Sequence, residues 1–237
     1  MKKQSRVEDA AFLWSEFRSS VAAVRRPAPV AKLPPVIRSS VGPPLVGGPG
    51  YTGAVMLPVR KTPRLDFGRI SNPEATYFIT LVTKRRVPVL ITNHTGRILA
   101  TSLEELHMSG DIRLLAATIM PDHTHLLFTL GRRLNLGQVM GKLKTRARES
   151  GRTSWRWQKN AFEHQVRRHE SIEDYAFYIF MNPYRAALCS LGARWPWWIC
   201  PKPEMLRFMD SLGPQDPVPN AWLRLSDEIF KTIASGD

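Results

Sequence analysis

The chain has 237 residues, enough for one substantial core with appendages, and its 43% hydrophobic and 23% charged content excludes a disordered or fibrous class. No apolar run approaches the length that crosses a bilayer, so a cytoplasmic protein is expected, nucleoid-associated if bacterial. The 34 Lys and Arg outnumber the 20 Asp and Glu, and the net charge of +14 favours a polyanionic partner, spread as it is over loops and helices and not on one membrane-binding helix.

In chain order, residues 7–24 set Ala10, Leu13, Trp14, Phe17, Val21 and Val24 at helical spacing, which predicts an amphipathic helix in an N-terminal segment 1–26. Residues 27–68 are dominated by Pro, Gly and small side chains and read as a linker or extended arm. A compact domain is expected over 69–200. Its first strand, Tyr77 to Val82, leaves through a basic exit at Lys84-Arg85-Arg86. A helix follows from Arg97 to Met108, then a hairpin of strands over 112–119 and 123–130. A basic helix spans Leu134 to Arg148, a strand or strand pair lies near 155–166, and a third helix runs from Glu173 to Leu188. The order β-α-β-β-α-β predicts an α+β fold: a ferredoxin-like or RRM-like antiparallel sheet with helices on one face and the other face free for a site. In the tail, Trp195-Pro196-Trp197-Trp198 reads as core anchors before base-stacking platforms, and 201–237 as a helical tail with helices near 204–212 and 221–234. The two cysteines, Cys189 and Cys200, have no metal-finger spacing, which fits a reducing compartment.

The chemistry begins at Met120-Pro121-Asp122-His123-Thr124-His125. On a strand, alternate side chains share a face, so the His123 and His125 imidazoles point the same way and form half of a divalent-metal site. The bland alternative is a pair of solvated strand histidines. In the third helix, Tyr178 and Asn182 stand four apart, one turn from each other on one face. His123, His125 and Asn182 offer three neutral N/O ligands with open positions, a set suited to Mg²⁺ or Mn²⁺. Tyr178 is then a candidate nucleophile. A phenol titrates near pH 10 and needs a metal or base to reach phenolate; the plain alternative is a core tyrosine in an amphipathic helix.

Taken together, these residues resemble the REP-associated tyrosine transposases of the HUH endonuclease superfamily. The matching stretches are Met120 to Leu127, Trp157-Gln158-Lys159-Asn160-Ala161-Phe162-Glu163-His164-Gln165-Val166-Arg167, Tyr178 to Leu188, and Trp195-Pro196-Trp197, covering roughly residues 70–200 in order. The resemblance implies cleavage and joining of single-stranded DNA at hairpin-forming repetitive palindromes. It also implies a 5′-phosphotyrosine at Tyr178, a free 3′-hydroxyl, and a metal on His123, His125 and Asn182. Thr124, polar where the family usually has a hydrophobic residue, and Trp197-Trp198 in place of Trp-Ser-Ser depart from the pattern. Glu163 and His164 face opposite ways on a strand, so only one reaches the site, either orienting the ligands from behind or lying on an exposed edge. Lys142, Lys144, Arg146, Arg148, Arg152, Arg156, Arg167 and Arg168 are candidate DNA phosphate contacts, or else a solvated basic face.

Two rivals stay open: a DNA- or RNA-binding module of the same fold without chemistry, and a metal hydrolase using His123, His125 and His164. Monomer and homodimer are both compatible with the sequence. Ligation by neutral imidazoles, whose ordinary pKa is about 6.5, predicts activity that fades below roughly pH 6.

Overall fold

The structure is a computed structural model that describes residues 71–149, 155–213 and 215–235. The expected N-terminal helix, the Pro/Gly-rich arm and Arg152 lie outside the described residues. The described residues all fall in one compact unit, Met56–Asp237.

A single five-stranded antiparallel sheet organises the unit, in the order β4-β1-β3-β2-β5. The strands are β1 (Thr76–Val82), β2 (Ile112–Ile119), β3 (His123–Leu130), β4 (Phe162–Gln165) and β5 (Trp198–Ile199). The β2–β3 hairpin has the predicted bounds. Pro121 cannot donate to a ladder and turns the chain, and Met120 N–H donates to the His123 carbonyl at 2.8 Å. All eight residues of β3 are buried, as a central strand covered on both faces must be.

Alternation divides the core. Tyr77, Ile79 and Leu81 of β1 with Leu126 and Phe128 of β3 face one side. That side is closed by α1 (Asn93–Met108) and α2 (Leu136–Glu149), which pack on each other and bury Leu99, Leu103, Leu106, Val139 and Leu143. Phe78, Leu127 and Ala116 face the other way, into a cluster with Tyr175, Ala176, Tyr178 and Ile179 of α3 (Ile172–Arg185). Two helices thus share one face as expected. The third lies across the face left for the site and brings Tyr178 with it.

Several element ends differ from the sequence reading; the fourth strand, expected near 155–166, covers only Phe162–Gln165. α1 starts four residues early, because Thr92 caps it by accepting from Thr95 N–H at 3.4 Å. Gly96 sits inside its first turn because the Trp197 ring lies there; a Cβ at 96 would stand 2.7 Å from that ring. Trp197 is therefore an anchor, as is Trp195, whose indole donates to the Ile119 carbonyl at 3.1 Å. α3 stops at Arg185, short of Leu188: Ala187 turns left-handed (φ 53°), and Leu188 N–H closes the end on the Pro183 carbonyl at 2.9 Å. The expected helix near 204–212 is a 3₁₀ turn at Pro203–Met205 and a short α4 (Arg207–Asp210). The last helix, α5 (Ala221–Ser235), packs on α3.

Candidate active site

One row of side chains crosses all five strands on the α3 face: Phe162, Thr80, His125, Thr118 and Trp198, each paired in register with the next. His123 follows two residues along β3 on the same face, and the two imidazoles meet edge to face at 4.8 Å between centroids. Each ring is fixed from behind. His123 Nδ1 lies 2.6 Å from Asp122 Oδ1, and His125 Nδ1 lies 2.9 Å from Thr80 Oγ1. With Nδ1 donating in both rings, each Nε2 is left with its lone pair directed into the site. Burial alone would raise the Asp122 pKa, but His123 and the Arg86 guanidinium at 2.8 Å hold it below the usual carboxylate value.

α3 delivers the other two groups because Ser171 caps its start and its buried face runs from Tyr175 to Tyr184. Tyr178 and Asn182 are each 1% exposed. The Tyr178 ring stands 5.4 Å from His125 and 5.9 Å from Phe78, edge to face with both.

The four residues share a defect. His123 Nε2, His125 Nε2, the Tyr178 hydroxyl and Asn182 Nδ2 are buried without a hydrogen-bond partner, and so is Thr118 Oγ1 in the same row. Each such atom costs about 1–3 kcal/mol, and native interiors seldom tolerate one. Five on the facing sides of the sheet and α3 make this the candidate ligand site. The two imidazole lone pairs could hold a divalent ion with open positions; the unmet Asn182 Nδ2 is a donor, so its ligating atom would be Oδ1. Among the described residues, no cluster of three His, Cys, Asp or Glu offers a rival metal centre.

Burial pushes the His125 pKa well below its ordinary value, reinforced by the neighbouring His123 and only partly offset by Asn182. The imidazole is therefore neutral at neutral pH. Burial also raises the Tyr178 phenol, with Asn182 and Arg185 pulling it back in part.

The phenol is covered. Phe230 of α5 stacks on the Tyr178 ring at 5.5 Å and 16°, and the Arg185 guanidinium lies over both rings, 5.6 Å and 5.0 Å from their centroids. Arg185 also binds Asp227 of α5 at 2.8 Å. As folded here, α5 seals one side of the tyrosine.

The remaining sequence candidates scatter. His164 is on the site face, paired with Phe78, but its Nε2 engages Glu170 at 2.8 Å and its ring stacks on Tyr175 at 5.7 Å. The Phe78 ring stands between this group and His125, so the three-histidine hydrolase set does not assemble. Glu163 pairs with Ile79 and faces away from the site. Lys142 binds Asp111 at 3.2 Å, Arg146 binds Glu105, and Lys144 reaches the Gln158 carbonyl at 3.4 Å. Arg148, Arg156, Arg167 and Arg168 are exposed. Asp122, Thr80, Arg185 and Phe230 went unassigned in the sequence. For Arg185 a signal existed, since it lies three residues beyond Asn182 and seven beyond Tyr178, on their helical face.

Residues 71–171 match the family model described as Transposase IS200 like. A REP-associated tyrosine transposase of Haemophilus influenzae is 24% identical over 136 residues, covering 51% of this chain and 77% of that protein. Among solved structures, a REP-associated tyrosine transposase bound to a REP hairpin aligns with a TM-score of 0.48 at 20% identity, over 56% of this chain and 80% of that one. A transposase from Deinococcus radiodurans aligns with a TM-score of 0.35 at 21% identity, over 43% and 86%.

Proposed function

We propose that this chain, whose residues 71–171 match the Transposase IS200 like family model, cleaves and rejoins single-stranded DNA through a covalent bond to Tyr178. The observation that carries the reading is the convergence of a buried phenol, two imidazole lone pairs and an amide, all unsatisfied, on one point of a basic protein. Hairpin-forming repetitive DNA is the substrate class, in line with the relatives' names. In this reading the catalytic domain is 69–200.

In the proposed step, the Tyr178 oxygen attacks the scissile phosphorus. A tyrosyl O–P bond forms, the P–O3′ bond breaks, the phenolic proton passes to solvent and the departing 3′ oxygen takes one up. The bond energy stays in the phosphotyrosine, so attack by a 3′-hydroxyl can rejoin the strand without a nucleotide cofactor. His123, His125 and Asn182 would hold a divalent ion, Mg²⁺ or Mn²⁺, which supplies neutralisation of phosphate charge beside the nucleophile. Asp122 and Thr80 keep the two rings turned with Nε2 inward. Arg185 is the cation nearest the phenol and favours its anionic form.

The test is a denaturing gel of protein incubated with labelled hairpin oligonucleotide and Mn²⁺. A covalent adduct in the wild type supports the enzyme. Tight binding with no adduct supports the alternative, a nucleic-acid-binding module of the same fold.

Two further outcomes follow. Phe230→Ala should loosen α5 over Tyr178. Truncating a half-buried aromatic by even ~1.4 kcal/mol of docking energy raises the open fraction about tenfold. Adduct should then form about tenfold faster at saturating DNA, with circular dichroism showing the sheet intact; an unchanged rate would mean that α5 does not limit access. The pH profile is the second. Burial lowers the pKa of both His107 and His125, so the unfolded chain binds these protons first. Their stabilisation is fully present above about pH 6.5 and is lost as pH falls toward the lowered values, by up to ~1.4 kcal/mol per pH unit for each group. Thermal unfolding midpoints measured from pH 7.5 to 5 should fall below about pH 6.5, and His125→Gln should flatten part of that fall. The same shift keeps His125 neutral below its ordinary titration range, so it extends ligation to lower pH than an unperturbed imidazole allows.

A further inference from the structure

The chain is strongly basic, and some of that charge is already answered among the described residues. Lys142 and Arg133 share Asp111, Arg132 binds Glu74, Arg146 binds Glu105, and Arg185 binds Asp227. The turn that follows β1 gathers cations that are not so paired. Lys84 and Arg85 are exposed and have no carboxylate partner among the described residues, and neither has Arg156 on the segment alongside.

These three cations are held together by backbone. Thr83 pairs with Trp157 across an isolated bridge, Lys84 N–H donates to the Arg156 carbonyl at 2.6 Å, and Gln158 N–H donates to the Val82 carbonyl at 2.8 Å. Trp155 and Trp157 turn inward as a buried edge-to-face pair at 5.1 Å, so alternation turns Arg156 outward. Arg85 and Arg86 are consecutive left-handed residues, with φ of 60° and 52°, a conformation that side chains other than glycine and asparagine seldom adopt.

The same turn is fastened to the metal-facing strand. Val82 pairs with His123; Thr83 N–H and Oγ1 both donate to the Asp122 carbonyl, at 2.8 and 3.0 Å; and Arg86 grips the Asp122 carboxylate that orients His123. Three exposed cations without a carboxylate partner among the described residues are thus held together at the rim of the site.

We propose that Lys84, Arg85 and Arg156 form a phosphate clamp that grips the backbone of the single strand next to the phosphate presented to Tyr178, with Arg86 spent on fixing the turn to Asp122. The proposal rests on the strand-transfer reading above and deepens it. It gives the strand its position at the site through charge alone, without reading its sequence.

The experiment measures fluorescence anisotropy of a labelled hairpin with a single-stranded flank, across a salt series, in a Tyr178→Phe background where no chemistry intervenes. The test variant combines Lys84→Gln, Arg85→Asn and Arg156→Gln, asparagine being chosen at 85 because it tolerates the left-handed backbone. Each phosphate contact to a single strand contributes roughly 0.7 to the log–log salt slope, so losing three should flatten it by about 2 and weaken binding at least tenfold near physiological salt. Arg132→Gln with Arg146→Gln, which removes two already paired cations, should change the slope far less. An unchanged slope in the triple variant, or an equal change in the control, overturns the clamp. A covalent adduct from the wild-type chain alongside an unchanged slope sinks the clamp and spares the enzyme; a flattened slope with no adduct from the wild-type chain does the reverse.

Discussion

Tyr178→Phe should abolish the covalent protein–DNA adduct and leave the protein as stable as before or more so. The two halves of this expectation come from the same atom. The Tyr178 hydroxyl is buried with no hydrogen-bond partner, and its removal relieves a desolvation penalty of about 1–3 kcal/mol. The ring keeps its contacts with His125, Phe78 and Phe230 because phenylalanine fills the same space. What the variant lacks is the only oxygen in that position able to bond to phosphorus, so strand cleavage should drop by more than about a thousandfold. Tyr175→Phe is the matched control. Its hydroxyl lies one turn away and donates to Glu170 at 3.2 Å, so losing it costs about 1 kcal/mol of stability and leaves adduct formation intact. Cleavage that persisted in Tyr178→Phe at the wild-type rate would mean that water is the nucleophile, and the strand-transfer mechanism would have to be abandoned.

The contrast between those two tyrosines shows where sequence reading stops. Spacing put Tyr178 and Asn182 on one helical face and His123 and His125 on one strand face, and the order of strands and helices along the chain followed from apolar periodicity. Both are local rules, and the structure keeps them. That the third helix crosses the free face, and so brings the two pairs together, depends on which side of the sheet Phe78 and Leu127 bury against, a long-range matter that periodicity leaves undecided. The cover over the phenol was less legible still. Phe230 reads as one apolar position in an amphipathic tail, and only packing reveals that it lies on Tyr178. The basic residues are a different case. Counting charges on the expected helix Leu134 to Arg148 singled out Lys142, Lys144, Arg146 and Arg148, and the fold brings Asp111 to Lys142 and Glu105 to Arg146. Net charge identifies the kind of partner; which cations remain to meet it is settled by the pairs the fold has already made.

Adding Mn²⁺ should raise the thermal unfolding midpoint of the wild-type chain, and His125→Gln should cancel that rise. Without an ion, the two Nε2 lone pairs are desolvated and unanswered, so binding recovers free energy that the apo fold forgoes. At an ion concentration a hundredfold above Kd the gain is about 2.7 kcal/mol. For a chain of this size that corresponds to a shift of roughly 5–10 °C. His125 is the more informative of the pair to replace. It sits at the centre of the five-strand row, is fully buried, and touches His123, Tyr178 and Phe78 at once. Glutamine there keeps a polar side chain but cannot present a ring nitrogen braced by Thr80, so the ion loses a ligand and the rest of the site loses its alignment. His164→Gln separates this from a general effect of histidine loss: it breaks the contact with Glu170 and should lower the midpoint of the apo protein, yet leave the Mn²⁺-induced rise in place. If His164→Gln cancelled the rise and His125→Gln did not, the ion would lie on the other side of Phe78, and the assignment of the metal to the Tyr178 site would be wrong.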